Sequence, residues 1–291
     1  MFYRHDVDNA IRRIVLLNSV YKDRVMRSYE IIIERRMRSL FEGMEKEIIK
    51  MLDKKRGLDL SPTEMRKVLE EIEKYKEDYY TGLKEVKDRV GQTGRNRVVR
   101  QMQLAGLEVP YSSITARIKE LLAADALAAT EHGIETIKNQ VSNILIKAYE
   151  DGIGHKETAK RITDKFISMD EFQARSIART EVNSAQSRAK FETMREQHGH
   201  EDSIFKQWWT AEDERVRDGT ISDADHVEMH GQIAHLDAPF SNGLFFPGDK
   251  NGDVEEWINC RCTIVTFIMP YGYMAPPGAS YFHEGDIIKV A

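Results

Sequence analysis

Residues 177–211, IARTEVNSAQSRAKFETMREQHGHEDSIFKQWWTA, change character midway. In the first half Ile177, Ala178, Val182, Ala185 and Ala189 fall on one side of a helix, while Arg175, Arg179, Asn183 and Gln186 fall on another. The apolar side is built from small residues, which predicts close approach to a neighbouring element. After His200 the run SIFKQWWTA brings aromatic and β-branched residues in a row, the composition of a strand. This stretch therefore marks the border between a helical part of the chain and a mixed one.

Towards the N-terminus the helical reading continues. Residues 8–52 read as one long helix with Ile11, Ile14, Val15, Val25, Tyr29, Ile32, Ile33, Leu40, Met44, Ile48 and Met51 mostly three or four apart. The spacing is too irregular for a coiled-coil seam, so packing against neighbouring helices is expected. Gly57 is the expected close. Ser61-Pro62-Thr63-Glu64 then announces a second helix: a capping serine, a proline at the first position and a glutamate that can reach back. The segment GQTGRNRVVRQMQ, with Gly91 and Gly94, is expected to break it. A boundary at Val109-Pro110 precedes a further helical stretch from about 112 to 196, interrupted at 151–154 and at 168–170.

Towards the C-terminus helix formers thin out. Five of the seven prolines lie beyond residue 200, and RCTIVTFIM and SYFHEGDIIKV are further strand candidates. The fold expected is mainly α with a C-terminal α+β domain: a helical arm or bundle over 1–111, a helical segment over 112–200, and a compact mixed domain over 200–291. The helix containing Arg179, the Trp208–Trp209 strand and the NCRC strand are expected to share one core.

Charge follows the same division. The chain carries a net −5, but residues 1–100 hold 24 basic against 18 acidic residues and residues 201–291 hold 6 against 16. The two ends thus suit different partners, or each other. No run approaches the roughly 20 apolar residues of a membrane span, so no membrane is expected as a partner. The opening MFYRHDVDNAIRRIV places charges where a signal peptide needs an apolar core. Synthesis in the cytosol is expected. The two cysteines, Cys260 and Cys262, stand two apart in NCRC, which excludes a disulfide framework and leaves a thiol pair for one metal ion or two small buried hydrophobes.

Five pieces follow in order: IARTEVNSAQSRA, QWWTAEDERVRD, DHVEMHGQ, APFSNGLFFPGD and INCRC. In them the chain resembles the phage Mu protein F-like family of minor head proteins, also called head-morphogenesis proteins. One departure is the insert GTISDAD, which separates RVRD from His226. Another is His230, which stands where the family usually has an acidic or amide residue. The resemblance implies a non-enzymatic protein of a tailed-phage head. It would be present in few copies at the portal vertex or inside the procapsid, and needed for head assembly, DNA packaging or delivery. Portal protein or the inner capsid surface would be its partner. The long amphipathic helices of the N-terminal region, its charge opposite to that of the C-terminal part and its lack of these motifs make it the expected docking element. The virion, and the host cytoplasm during assembly, would be its location, with no small-molecule substrate.

Particular residues carry the chemistry. His226 and His230 would share a helical face and, with Cys260 and Cys262, make a Cys₂His₂ set suited to zinc; the tight C-x-C spacing argues against it. No other cofactor is expected. Arg179, Thr180, Glu181 and Asn183 form a polar constellation within one turn, read as a buried network in which Arg179 pairs with an acid such as Asp213. Asp213, Arg215 and Arg217 would alternate along the tryptophan strand and tie it to that helix. Of Trp208 and Trp209 one should face inward and the other outward. A rival reading makes Arg179, Glu181 and His226 the site of a nuclease or ADP-ribosyltransferase-like toxin, since related phage proteins are sometimes fused to toxin domains. A third reading is non-specific binding of double-stranded DNA by Arg95, Arg97 and Arg100, with Arg35, Arg36 and Arg38 as a second basic cluster.

Overall fold

The structure, a computed structural model, describes residues 4–53, 61–199 and 203–290, with side chains from residue 24 onward. Gly57, the expected end of the first helix, lies outside the described residues. Long helices come first: α1 (Arg4–Asp53), α2 (Pro62–Glu73), α3 (Lys76–Leu104), α4 (Ala116–Glu150), α5 (His155–Ser168) and α6 (Ala174–His198). Short strands follow: β1 (Ile204–Trp209), β2 (Ile233–Ala234), β3 (Thr263–Ile268), β4 (Tyr273–Met274), β5 (Tyr281–Phe282) and β6 (Ile288–Lys289), with the single turn α7 (Val254–Trp257) before β3. The chain is mainly α with small antiparallel sheets in its C-terminal region, as the sequence predicts.

Local chemistry explains most boundaries. The Ser61 hydroxyl accepts from the Glu64 amide at 3.3 Å and the Glu64 carboxylate accepts from the Ser61 amide at 2.9 Å, closing a capping box at the start of α2. At the end of α4, Gly152 takes φ +62°, and the Ile153 amide reaches back to the Ala148 carbonyl at 2.8 Å. That left-handed turn is the usual glycine terminus of a helix. Between α5 and α6 the expected break at 168–170 is a five-residue π turn, Met169–Gln173, so helical hydrogen bonding continues through it.

The expected break at Gly91 and Gly94 does not occur. α3 runs straight through both, because these glycines serve packing. A Cβ on Gly94 would lie 2.9 Å from the Gln186 carbonyl oxygen, and one on Gly91 would meet Leu122 at 2.6 Å. The helix break falls instead just after α2, at residues 74–75.

The chain divides into two compact units, each assembled from non-consecutive segments. One consists of residues 30–86 and 123–178. Its core includes Ile33, Met37, Phe41, Met44, Ile48 and Leu52 of α1, a stripe at steps of four, four, three, four and four, with Ile72, Tyr79, Ile137, Val141 and Phe166 also buried. Met37 and Phe41 belong to the stripe, whereas Ile32 and Leu40 of the apolar pattern are only half-buried.

The other unit consists of residues 1–29, 87–122 and 179–291. Its four-stranded sheet has the order β3-β1-β2-β5, antiparallel throughout, and β4 pairs with β6 in a separate ribbon. The SYFHEGDIIKV run therefore forms two short strands in different sheets around a 3₁₀ turn, not one strand. In the β1–β3 register Trp208 faces Ile264 and Phe205 faces Phe267. Alternation sends these pairs to opposite faces. One face joins a core of Val98 and Met102 from α3, Phe191 and Met194 from α6, and Trp208, Cys260, Cys262 and Ile264. The opposite face is closed by Phe205, Ile233, Phe267, Met269 and Phe282. The predicted joint core is present, and α3 is part of it: the Gln101 carboxamide oxygen accepts from both the amide (2.9 Å) and the hydroxyl (2.8 Å) of Thr266. Residues 87–104 of α3 thus belong to the same unit as the sheet.

Candidate metal centre

Cys260 and Cys262 lie in the unpaired segment just ahead of β3, and both are buried in one core with Ile264. The tight spacing that argued against a metal from sequence does not keep the sulfurs apart. His226 comes to them from the loop after β1. Its Nδ1 lies 3.7 Å from the Cys260 sulfur and 3.5 Å from the Cys262 sulfur, and the donor atoms of the three residues all lie within 4.8 Å of one another. All three side chains are buried.

The other ring nitrogen of His226 faces Glu256 of α7, 2.8 Å from its Oε2, and Asn242 donates to the same oxygen at 3.0 Å. A carboxylate only accepts, so Nε2 carries the proton and, in the neutral ring, Nδ1 presents its lone pair to the sulfurs. Trp208 packs edge-on against the imidazole with centroids 5.2 Å apart. Burial disfavours the imidazolium, but Cys260 and then Glu256 outweigh it and raise His226 above its ordinary value. The Cys260 thiol sits well below its usual range: a hydrogen bond from Cys262 lowers it most, burial opposes, and His226 adds to the lowering. Soft thiolate and imidazole donors in a buried pocket match the coordination chemistry of zinc.

His230 does not join them. Residues 226–231 form turns rather than a helix, so the i, i+4 spacing places the two imidazoles apart. His230 Nδ1 lies 2.8 Å from the Thr210 hydroxyl, and its ring packs tilted against Trp209 with centroids 4.4 Å apart. Trp208 is fully buried against Phe240 and His226, and Trp209 is half-buried.

The polar constellation on α6 divides among different partners. Glu181 is buried between Lys87 of α3 and Lys250, each at 2.6 Å from one of its oxygens. Burial alone would raise its carboxyl, but the two ammonium groups lower it to about 2. The Thr180 hydroxyl accepts from the Asn259 amide at 2.9 Å, tying α6 directly to the cysteine segment. Asn183 is buried beside Gly248, and its amide nitrogen has no hydrogen-bond partner among the described residues. Arg179 is half-buried.

Asp213, Arg215 and Arg217 lie on the loop after β1, not on the strand. Asp213 pairs with Arg261 and, at 3.7 Å, with Arg215, while Arg217 donates to the Ile258 carbonyl. These residues brace the cysteine segment, with Arg261 of NCRC as a partner of Asp213. The basic cluster on α3 is likewise dispersed. Arg95 is buried, paired with Glu196 at 2.5 Å and with the Ser112 hydroxyl, Arg97 is half-buried and desolvated to a pKa of about 10, and Arg100 is exposed. Positions 95 and 97 point to different sides of a helix, so the three make no common phosphate-binding face. Of the second cluster, Arg36 is bound to Glu85 and Arg38 to Glu34 and Asp170.

Sequence reasoning missed Glu256, Asn242, Lys87 and Lys250. Glu256 stands four residues before Cys260 and could have been weighed as a partner for an imidazole. Lys87 sits in an ordinary charged helix and gives no signal.

Among the described residues no helix is long and apolar enough to cross a membrane. No curated protein and no solved structure matches the chain at a significant level. Residues 139–265 match the family described as Phage Mu protein F like protein, from the second half of α4 into β3. That span reaches further upstream than the motifs read from the sequence and includes Glu181, Trp208, His226, Glu256 and both cysteines. Over residues 139–265 the chain is thus recognised as Phage Mu protein F-like.

Proposed function

We propose that the chain is a minor head protein of a tailed bacteriophage, acting in procapsid assembly or DNA delivery at the portal vertex, and that it is not an enzyme. The observation that carries this reading is the family match over residues 139–265, which falls on the elements that build the C-terminal core. The portal protein or the inner capsid surface is the partner this role requires. The state of Glu181 supports a structural role for the constellation around Arg179: a buried carboxylate already neutralised by two lysines is poorly placed to act as a general base. His226 likewise has both nitrogens engaged within the fold. The DNA-binding reading is weakened at one of its three named contacts, because Arg95 is committed to Glu196.

The test is genetic. In the phage encoding this chain, a nonsense mutation should give defective or non-infectious heads, and supply of the chain in trans should restore them. Restoration by Glu181→Gln, provided that variant folds, would separate head assembly from any catalytic use of Glu181. Normal infectious heads without the chain would refute the assignment.

A further inference from the structure

We propose that Cys260, Cys262 and His226 bind one zinc ion per chain, with Glu256 as the carboxylate that orients the histidine. The distances carry the proposal. A tetrahedral zinc with bonds of about 2.3 Å to sulfur and about 2.0–2.1 Å to nitrogen holds those atoms roughly 3.5 Å apart. The two sulfurs stand 3.5 and 3.7 Å from His226 Nδ1.

The surroundings fit the same conclusion. Metal-bound histidines almost always give their second N–H to a carboxylate, carbonyl or water, which fixes the tautomer and the ring. Glu256 occupies that position at 2.8 Å and is itself held by Asn242. The three donors are buried, and both cysteines belong to the core of Trp208 and Ile264. Thiolate and imidazole together favour zinc over magnesium or calcium.

Binding removes one proton from each thiol and releases both to solvent, so that two thiolates and a neutral imidazole offset the dication. The ion cross-links the loop bearing His226 to the start of β3, residues 34 and 36 apart in sequence. His230 is engaged by Thr210, and Glu256 faces the far nitrogen of the ring. The fourth corner of the tetrahedron therefore falls to a solvent molecule. The proposal rests on this geometry and not on the role of the chain in the head.

The full chain, purified without chelator, should contain about one equivalent of zinc by elemental analysis. After removal of zinc, added cobalt(II) should give thiolate-to-metal charge transfer in the near ultraviolet and the visible bands of a four-coordinate ion. His230→Ala should keep both signals. Cys262→Ser should lose most of the charge-transfer intensity, and if that variant fails to fold, the wild-type and His230→Ala spectra still decide. Less than about a tenth of an equivalent of zinc, together with only weak six-coordinate cobalt bands in the folded wild type, would overturn the proposal. Loss of the cobalt spectrum in His230→Ala would overturn this ligand set.

Discussion

His226 and Glu256 are joined by a 2.8 Å hydrogen bond from Nε2 to Oε2, which leaves Nδ1 turned to the two cysteine sulfurs. The two residues are 30 apart in the chain, and neither lies on a long helix or a strand. Their pairing depends on α7 being carried next to the loop after β1. The Arg217 contact to the Ile258 carbonyl and the Arg261–Asp213 pair both hold that segment in place.

Glu256→Ala should weaken zinc binding by about 10–100-fold, the usual effect of losing the partner of a ligating imidazole. Glu256→Gln keeps an acceptor and should cost less. Competition with a chromophoric chelator measures both, and an unchanged affinity in Glu256→Ala would remove Glu256 from the account.

Glu181→Gln leaves the ammonium groups of Lys87 and Lys250 without their counter-charge and should destabilise the fold by about 3–5 kcal/mol. The folded carboxyl titrates at about 2 against 4.5 ordinarily, so its contribution is present above about pH 4.5 and is lost as pH falls towards 2. Chemical unfolding at pH 7 and pH 3 should therefore show a smaller difference between wild type and variant at the lower pH.

Lys206 lies in a box of Phe191, Phe240 and Phe245, its ammonium 4.6–4.9 Å from the three ring centres and without a hydrogen-bond partner among the described residues. Burial lowers its pKa to about 7, with Asp249 and Asp237 pulling weakly upward. Between about pH 7 and 10.5 the unfolded chain holds a proton there that the folded chain has lost, so this group makes stability rise with pH. Lys206→Met should flatten that rise relative to wild type in urea unfolding at pH 7 and 9.5. A parallel rise in both proteins would contradict the assignment.

Gly94→Ala tests the close approach of α3 to α6. On an isolated helix alanine gains about 1 kcal/mol over glycine. Here the new Cβ would press to 2.9 Å on the Gln186 backbone oxygen, so the change should destabilise by about 1–3 kcal/mol. A higher melting temperature would show that the helices can move apart.

Legibility in the sequence tracks how local each cause is. The capping box at Ser61, the glycine stop at residue 152, and the aromatic runs of β1 and β3 follow from neighbouring residues, and all could be read directly. Gly91 and Gly94 mislead because a glycine that breaks a helix and one that admits a neighbouring helix look alike in sequence. The units could not be read at all: Val98 belongs to the core of Trp208 through a contact across more than a hundred residues. The site was half legible. C-x-C and His226 could be named, but His230 was assigned by helical spacing to a segment that forms turns, and Glu256 has no motif of its own.

Sedimentation of particles from cells producing the phage tests the central assignment most directly. The chain, followed by antibody across a gradient, should co-migrate with procapsids in substoichiometric amount relative to the coat protein, and cross-linking should join it to the portal or the inner shell. A chain that stays wholly at the top of the gradient while heads assemble and fill would contradict a role in the phage head.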